Sequence, residues 1–220
     1  METGYNNSVV FLKEYIMKKI TALTLVVMML ALLCGCTSPS SLKRGQWDKE
    51  LYYNEYGEFY LRSNELFDRY TDSKIKKNLG FVYSKDGQVL NDVVISSDYC
   101  AIIITLEKPG KEYSQEDYLD AFILNSRTAN TPGSYSIGES YQQNIAGKYY
   151  AVVPILYYTG ADNDLVGYCE YSFIRKTKDN VFVVIRITST SQLNIEIALK
   201  MFEDPNGTDA EKPTASTPDP

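Results

Sequence analysis

The chain contains no histidine. That removes the commonest general base and the commonest metal ligand at neutral pH. Cysteine is scarce too. Of four in the chain, Cys34 and Cys36 fall in one N-terminal apolar stretch, and the remaining Cys100 and Cys169 are too few for a thiolate zinc site. Positive charge is in deficit, with 22 Lys and Arg against 28 Asp and Glu and a net charge of −6. Nucleic-acid phosphates call for a basic patch and anionic lipid for a basic segment, so neither nucleic acid nor electrostatic docking on a bilayer is expected. There is no Gly-x-Ser-x-Gly turn and no phosphate loop, so a serine has no visible activating base. No internal repeat is present. A membrane span is missing as well. The apolar run Ile20 to Leu33 falls short of the roughly 20 residues that a helix needs to cross a bilayer. No catalytic residue, metal or cofactor is expected, and a non-enzyme is the reading that follows.

What is present begins at Met17. Lys18 and Lys19 form a short positive segment, the apolar run follows, and it ends in Leu33-Cys34-Gly35-Cys36. This order matches a secretory signal peptide. Its end resembles the lipobox of bacterial lipoproteins, with Leu33 three places before Cys36 and the small Gly35 just before it. The resemblance implies cleavage before Cys36 and a diacylglycerol, with fatty-acyl chains such as palmitate, on its thiol. Cys36 is therefore the expected lipidation site, and a lipid anchor leaves the domain in water on the extracytoplasmic face of the cell membrane. The expected organisation is a surplus start over residues 1–16, a signal peptide over 17–35, a polar tether over 36–45, one folded domain over 46–203 and a disordered tail over 204–220.

Within the domain, Asn54 to Gly57 and Asp86-Gly87 each separate two β-prone runs and predict hairpins. Thr71 or Asp72 can start a short helix that Gly80 ends. Ser114 and Asp117 form a capping box for a second helix, whose stripe is Leu119, Phe122 and Ile123 with Tyr118 beside it. Four strand-like runs follow, beginning with "SYSIGESY" and ending with "NVFVVIRIT", with "KTKDN" as a turn between the last two. A closing amphipathic helix carries Ile195, Ala198, Leu199 and Phe202. Strands such as "VFVVIRI" and "YYAVVPILYY" are apolar on both faces, so both faces must be covered. The fold class expected is α+β, an antiparallel β-sheet with helices packed on it.

The order "GQWDKELYYNEYGEFYL", "EKPGKEYSQEDYLDAF", "IAGKYYAVVPI" and "YCEYSFIRKTKDNVFVVIRIT" resembles PsbP-like domains, which occur in lipoproteins of Gram-positive bacteria. Trp47, Tyr53, Asn54, Phe59, Gly147 and Tyr149 are the matching positions, over about residues 45–203. The family has a Pro-x-x-Trp after its second strand where this chain has "RSNELF". The resemblance implies a scaffold without fixed chemistry, so no catalytic residue is carried over.

Four features are candidates for function. Cys100 and Cys169 lie on the apolar faces of strands, and are either a disulfide or two buried free thiols. Among 19 tyrosines, Tyr52, Tyr53, Tyr157 and Tyr158 flank predicted turns and are candidate binding residues. Adjacent tyrosines on a strand point to opposite faces, so only one of each pair can join a single platform. Asp162-Asn163-Asp164 lacks the alternate spacing of a calcium loop and reads as a turn. Asp48, Glu50, Glu55 and Glu58 read as a solvated acidic edge. The function expected is a membrane-anchored binding or interaction domain. Its partner is an envelope protein, or alternatively a solute or glycan held by exposed tyrosines, with a hydrolase as a third reading.

Overall fold

A computed structural model describes residues 42–86, 88–130, 134–159, 165–177 and 179–207. In chain order the elements are β1 (Gln46–Asp48), β2 (Leu51–Asn54), β3 (Phe59–Arg62), β4 (Asp68–Arg69), α1 (Asp72–Leu79), β5 (Val89–Ser96), β6 (Cys100–Glu107), α2 (Gln115–Ala129), β7 (Tyr135–Ile137), β8 (Tyr141–Ile145), β9 (Lys148–Thr159), β10 (Leu165–Lys176), β11 (Phe182–Ser189), α3 (Gln192–Leu199) and β12 (Phe202–Glu203). The fold is α+β. The signal, the lipidation cysteine, the tether as far as residue 41, the Asp162-Asn163-Asp164 turn and the tail beyond Gly207 lie outside the described residues.

Two antiparallel sheets form in place of the one expected. An eight-stranded sheet has the order β4-β5-β6-β11-β10-β9-β7, with β8 also on β9; a four-stranded sheet has the order β1-β2-β3-β12. One face of the large sheet carries Leu90, Ile102, Ile104, Ile185, Ile187, Phe173 and Val152. The small sheet covers much of it with Tyr52, Phe59 and Leu61, and α3 covers more with Ile195 and Ala198. The opposite face carries Val153, Ile155, Ile174, Phe182 and Val184 under α2. The doubly apolar strands thus have cover on both sides, from a sheet and a helix on one and a helix on the other.

Local signals explain most elements. Thr71 Oγ1 accepts the backbone N–H of Lys74, and Gly80 ends α1 in the left-handed region at φ 86°. Ser114 caps α2 by accepting the N–H of Asp117 at 3.0 Å. The stripe of α2 then packs as expected, but Tyr118 is its deepest member, stacked on Phe182 with ring centroids 3.8 Å apart. Asn54 accepts the N–H groups of Tyr56 and Gly57 at 2.8 and 2.9 Å, which folds the β2–β3 hairpin. Near Asp86, Tyr83 forms an antiparallel bridge with Leu90 and the Gln88 N–H donates to Asp86, while Gly87 lies outside the described residues.

Two expectations are corrected. "SYSIGESY" is split: β7 ends at Ile137, and β8 begins at Tyr141 and turns into β9 through Ala146 and Gly147, both at positive φ. The closing helix ends at Leu199, so Phe202 is not part of its stripe. Phe202 sits in β12, paired with Leu61 and edge-to-face with Phe59 at 5.1 Å. A strand pairing at the edge of the small sheet outcompetes one further helical turn there.

Phe59 lies at the centre of this contact and is fully buried. Truncating a buried phenylalanine typically costs about 3–5 kcal/mol. Phe59→Ala should therefore lower the unfolding free energy by about that amount, read as a shift in the urea midpoint at unchanged slope.

Candidate functional site

A buried polar cluster between the two sheets is centred on Asp92. Strand β5 pairs with β6 through Asn91 and Val93, and Asp92 is the extra residue between them. Such a bulge re-aims a side chain, and here the carboxylate enters the layer between the two sheets. Its side chain is 1% exposed. It accepts the hydroxyl of Tyr52, the amide of Asn54 at 2.8 Å and the backbone N–H of Gly45 at 3.0 Å. Arg44 approaches it at 3.5 Å and donates to the backbone oxygen of Asp92 at 3.1 Å. The same guanidinium forks onto Asp72 at 2.8 and 2.9 Å. Burial, then the neighbouring Asp92 charge, pushes the Tyr52 phenol well above its ordinary range. Beside this cluster lies a cleft of about 340 Å³, walled by Trp47 with the Arg69 guanidinium 3.9 Å over its ring.

Two further clefts flank α3. One, of about 450 Å³, lies between α3 and the strands that carry Tyr141 and Tyr171. The other, of about 490 Å³, lies between α3, the β3–β4 connection and the β5–β6 turn. Its lining includes Leu66, Asp68, Asp98, Tyr99, Cys100 and Ile197. Leu66 is 72% exposed, Tyr99 69% and Ile197 51%. Cys100 is buried at the floor, and burial, followed by the neighbouring Cys169, pushes its thiol up to about 11.

Both thiols are free. Cys169 and Cys100 face Ser189 from opposite sides across β10-β11-β6, which separates them by two strand spacings, about 10 Å. A disulfide needs Cα atoms within about 7 Å, so of the two readings left open by the sequence this geometry holds the buried thiols. Cys169 Sγ contacts the Ser189 carbonyl at 3.2 Å instead.

The four tyrosines are not gathered. Tyr52 is 1% exposed and belongs to the Asp92 cluster. Tyr53 is half-exposed on the small sheet, with its ring 5.1 Å from that of Tyr60. Tyr157 and Tyr158 are on the large sheet and point to opposite faces. Tyr158 shares a hydrogen bond with Ser136 at 2.9 Å, and Tyr157 stacks on Tyr168 at 4.3 Å. A register shift between Val166 and Tyr168, made at Gly167, sets these two rings face to face. Burial, then Glu170 and Tyr168, pushes the Tyr157 phenol up to about 12. Of the early acids, Glu58 is held by Lys148 and Arg175, each at 3.2 Å, and Glu55 by Lys43 at 3.2 Å. Among the described residues no group of three or more acidic, cysteine or histidine side chains is placed to hold a metal ion.

Asp92, Arg44 and the Leu66–Tyr99–Ile197 cleft were not found from sequence. A charged residue inside the apolar run "VLNDVVIS" was the available signal for the first. The second apolar pair on the closing helix, Leu193 and Ile197, was the signal for the last.

No family model matches the chain, and no curated protein matches it. Solved structures do. The cyanobacterial PsbP of Synechocystis matches at 11% identity, over 76% of this chain and 99% of that one, with a TM-score of 0.47. The Ran-binding protein Mog1p of Saccharomyces cerevisiae matches at 14% identity, over 68% of this chain and 82% of that one, with a TM-score of 0.36. At this level the likeness is one of outline and gives no residue a role.

Two measurements follow from the buried groups. Asp92→Ala strands the Tyr52 hydroxyl, the Asn54 amide and the Gly45 N–H, at about 1–3 kcal/mol for each unsatisfied group. It should destabilise by about 3 kcal/mol in urea unfolding, whereas Arg44→Ala, which removes a partly exposed cation, should cost about 1 kcal/mol. Equal losses would show that the ion pair, not the neutral donors, holds the acid. In iodoacetamide labelling near pH 8, Cys100 and Cys169 should react slowly when native. Both should react at once after unfolding without reductant; one or none labelled would contradict the free thiols.

Proposed function

We propose that this chain is a lipid-anchored, extracytoplasmic binding domain that holds a partner without turning it over. The observation that carries the reading is the 490 Å³ cleft beside α3, whose rim keeps Leu66, Tyr99 and Ile197 in solvent. Exposed apolar groups around a concave surface mark binding sites. The one thiol at its floor is buried and its pKa is raised, which suits packing and not attack. The anchor rests on Leu33-Cys34-Gly35-Cys36 and the apolar run before it. Among the described residues no helix is long and apolar enough to cross a membrane. A partner displayed in the same envelope would meet a tethered domain at high effective concentration.

A second reading, glycan capture, is favoured by the Tyr157–Tyr168 pair, since Tyr168 is 38% exposed and its ring is held flat against its neighbour. A glycan array with the wild type and Tyr168→Ala separates the two: binding lost in the variant would favour the sugar.

Cys36→Ala should move the protein out of the detergent phase in Triton X-114 partition, or leave it as unprocessed precursor. Complete retention of the processed variant in the detergent phase would show that something other than Cys36 lipid holds it. Turnover in a broad hydrolase screen, lost on changing a single acidic or serine residue, would overturn the non-enzymatic part.

A further inference from the structure

We infer that the cleft beside α3 takes a cationic, apolar peptide segment: a large apolar side chain in the hollow and a lysine or arginine over each bank. The inference rests on the binding reading above and names the partner's chemistry.

The helix makes the first half of the case. α3 reads "QLNIEIAL" and is apolar on two sides. Ile195 and Ala198 are buried in the core, while Leu193 and Ile197, four residues apart and so on one face, are 63% and 51% exposed. A surface helix normally keeps its outward face polar, and one that is apolar all round is normally buried. Across the hollow stand Leu66 and Tyr99, more exposed still. Ile197, Leu66 and Tyr99 line the hollow from three separate segments, while Leu193 lies outside its lining, so the patch is made by the fold and not by one greasy stretch of sequence.

Charge makes the second half. The charged residues that line the hollow are Asp68, on the β4 side, and Asp98, in the β5–β6 turn, with no Lys or Arg among them. Neither acid has an ion-pair partner among the described residues, although Arg44, Arg62, Arg175, Lys43, Lys148 and Lys176 are each paired with an acid. The nearby Arg69 is turned away onto Trp47 and the Lys49 carbonyl. Two unpaired carboxylates around an apolar hollow repel an anionic occupant and give a neutral acyl chain nothing to discriminate. A cation beside an apolar group satisfies both features. With no histidine in the chain, position and charge are what this lining offers for selectivity.

The test uses the full-length chain in neutral phosphatidylcholine nanodiscs, with empty discs as reference, in biolayer interferometry. The probes are the peptide Lys-Leu-Lys-Phe-Lys and its counterpart with glutamate in place of lysine. The lysine peptide should bind saturably and weaken as salt rises, and the glutamate peptide should not bind. Asp68→Asn with Asp98→Asn should weaken the lysine peptide at least fivefold and flatten its salt dependence. Ile197→Ser should weaken it about tenfold, and Leu124→Ala, on α2 over the opposite face of the large sheet, should leave it unchanged. Equal binding of both peptides, binding of neither, or wild-type affinity in the doubly neutralised protein would overturn the inference. So would a dimer in sedimentation that Ile197→Ser dissolves, because the occupant would then be a second copy. None of these outcomes bears on the Cys36 partition, so the anchor reading stands or falls separately.

Discussion

Two sheets of this protein are clamped by one carboxylate. Asp92 leaves the ladder of the large sheet at a bulge and is met in the layer between the sheets by Tyr52 and Asn54 of the small one and by the backbone of Gly45. A buried acid is expensive unless its lone pairs are filled, and three donors with a nearby guanidinium fill them. The dependence runs both ways. Without the small sheet Asp92 would lose the Tyr52 and Asn54 donors and keep only the Gly45 N–H and Arg44, and without Asp92 the Tyr52 hydroxyl and the Asn54 amide would be buried and orphaned. Arg44 extends the clamp to Asp72 at the start of α1, so the first described turn of chain, the small sheet, the large sheet and a helix share one polar junction.

That junction fixes where the remaining surface opens. The small sheet is tied to β5 through Asp92 and to β9 and β10 through Lys148 and Arg175, and α3 covers β6 and β11 on the same face. A helix as short as Gln192–Leu199 cannot reach the sheet's margins, and clefts remain on both of its sides. β12 then returns the chain to β3, which closes the small sheet and pins the helix from its far end. The hollow edged by Leu66, Tyr99 and Ile197 is thus a consequence of three docking events and not of a dedicated loop.

The class of fold was legible because its signals are local. The Ser114–Asp117 cap, the Thr71 and Gly80 ends of α1 and the turn at Asn54 each act within four residues, and each formed where the pattern placed it. The doubly apolar strands correctly demanded cover on both faces. What covered them was not legible. The "LYYN" and "FYLR" runs are β-prone, but nothing in them says that they belong to a separate sheet, and the Asp92 contact that ties them to the large one lies some forty residues on. Phe202 kept the helical spacing of its predecessors and still left the helix, because its partner, Leu61, is far away in sequence. Tyr52 and Tyr53 show the same limit at the level of a site. Alternation said that the two would face opposite ways, and they do, but only the fold decides that Tyr52 is the one sealed inside.

The acids of this chain fall into two kinds, and the difference separates structure from recognition. Asp92 is enclosed and fully bonded; Asp72, Glu58 and Glu203 are spent on Arg44, on Lys148 with Arg175, and on Arg62. Such carboxylates have little left to offer a partner, because any new cation must displace a bond already made. Asp68 and Asp98 are in the opposite condition, exposed beside apolar side chains that themselves lack cover. In water an isolated surface acid is indifferent to stability, and so is a single exposed leucine. Their conjunction around one hollow is what gives the surface a direction, since only a ligand that brings an apolar body and a positive charge together gains from both.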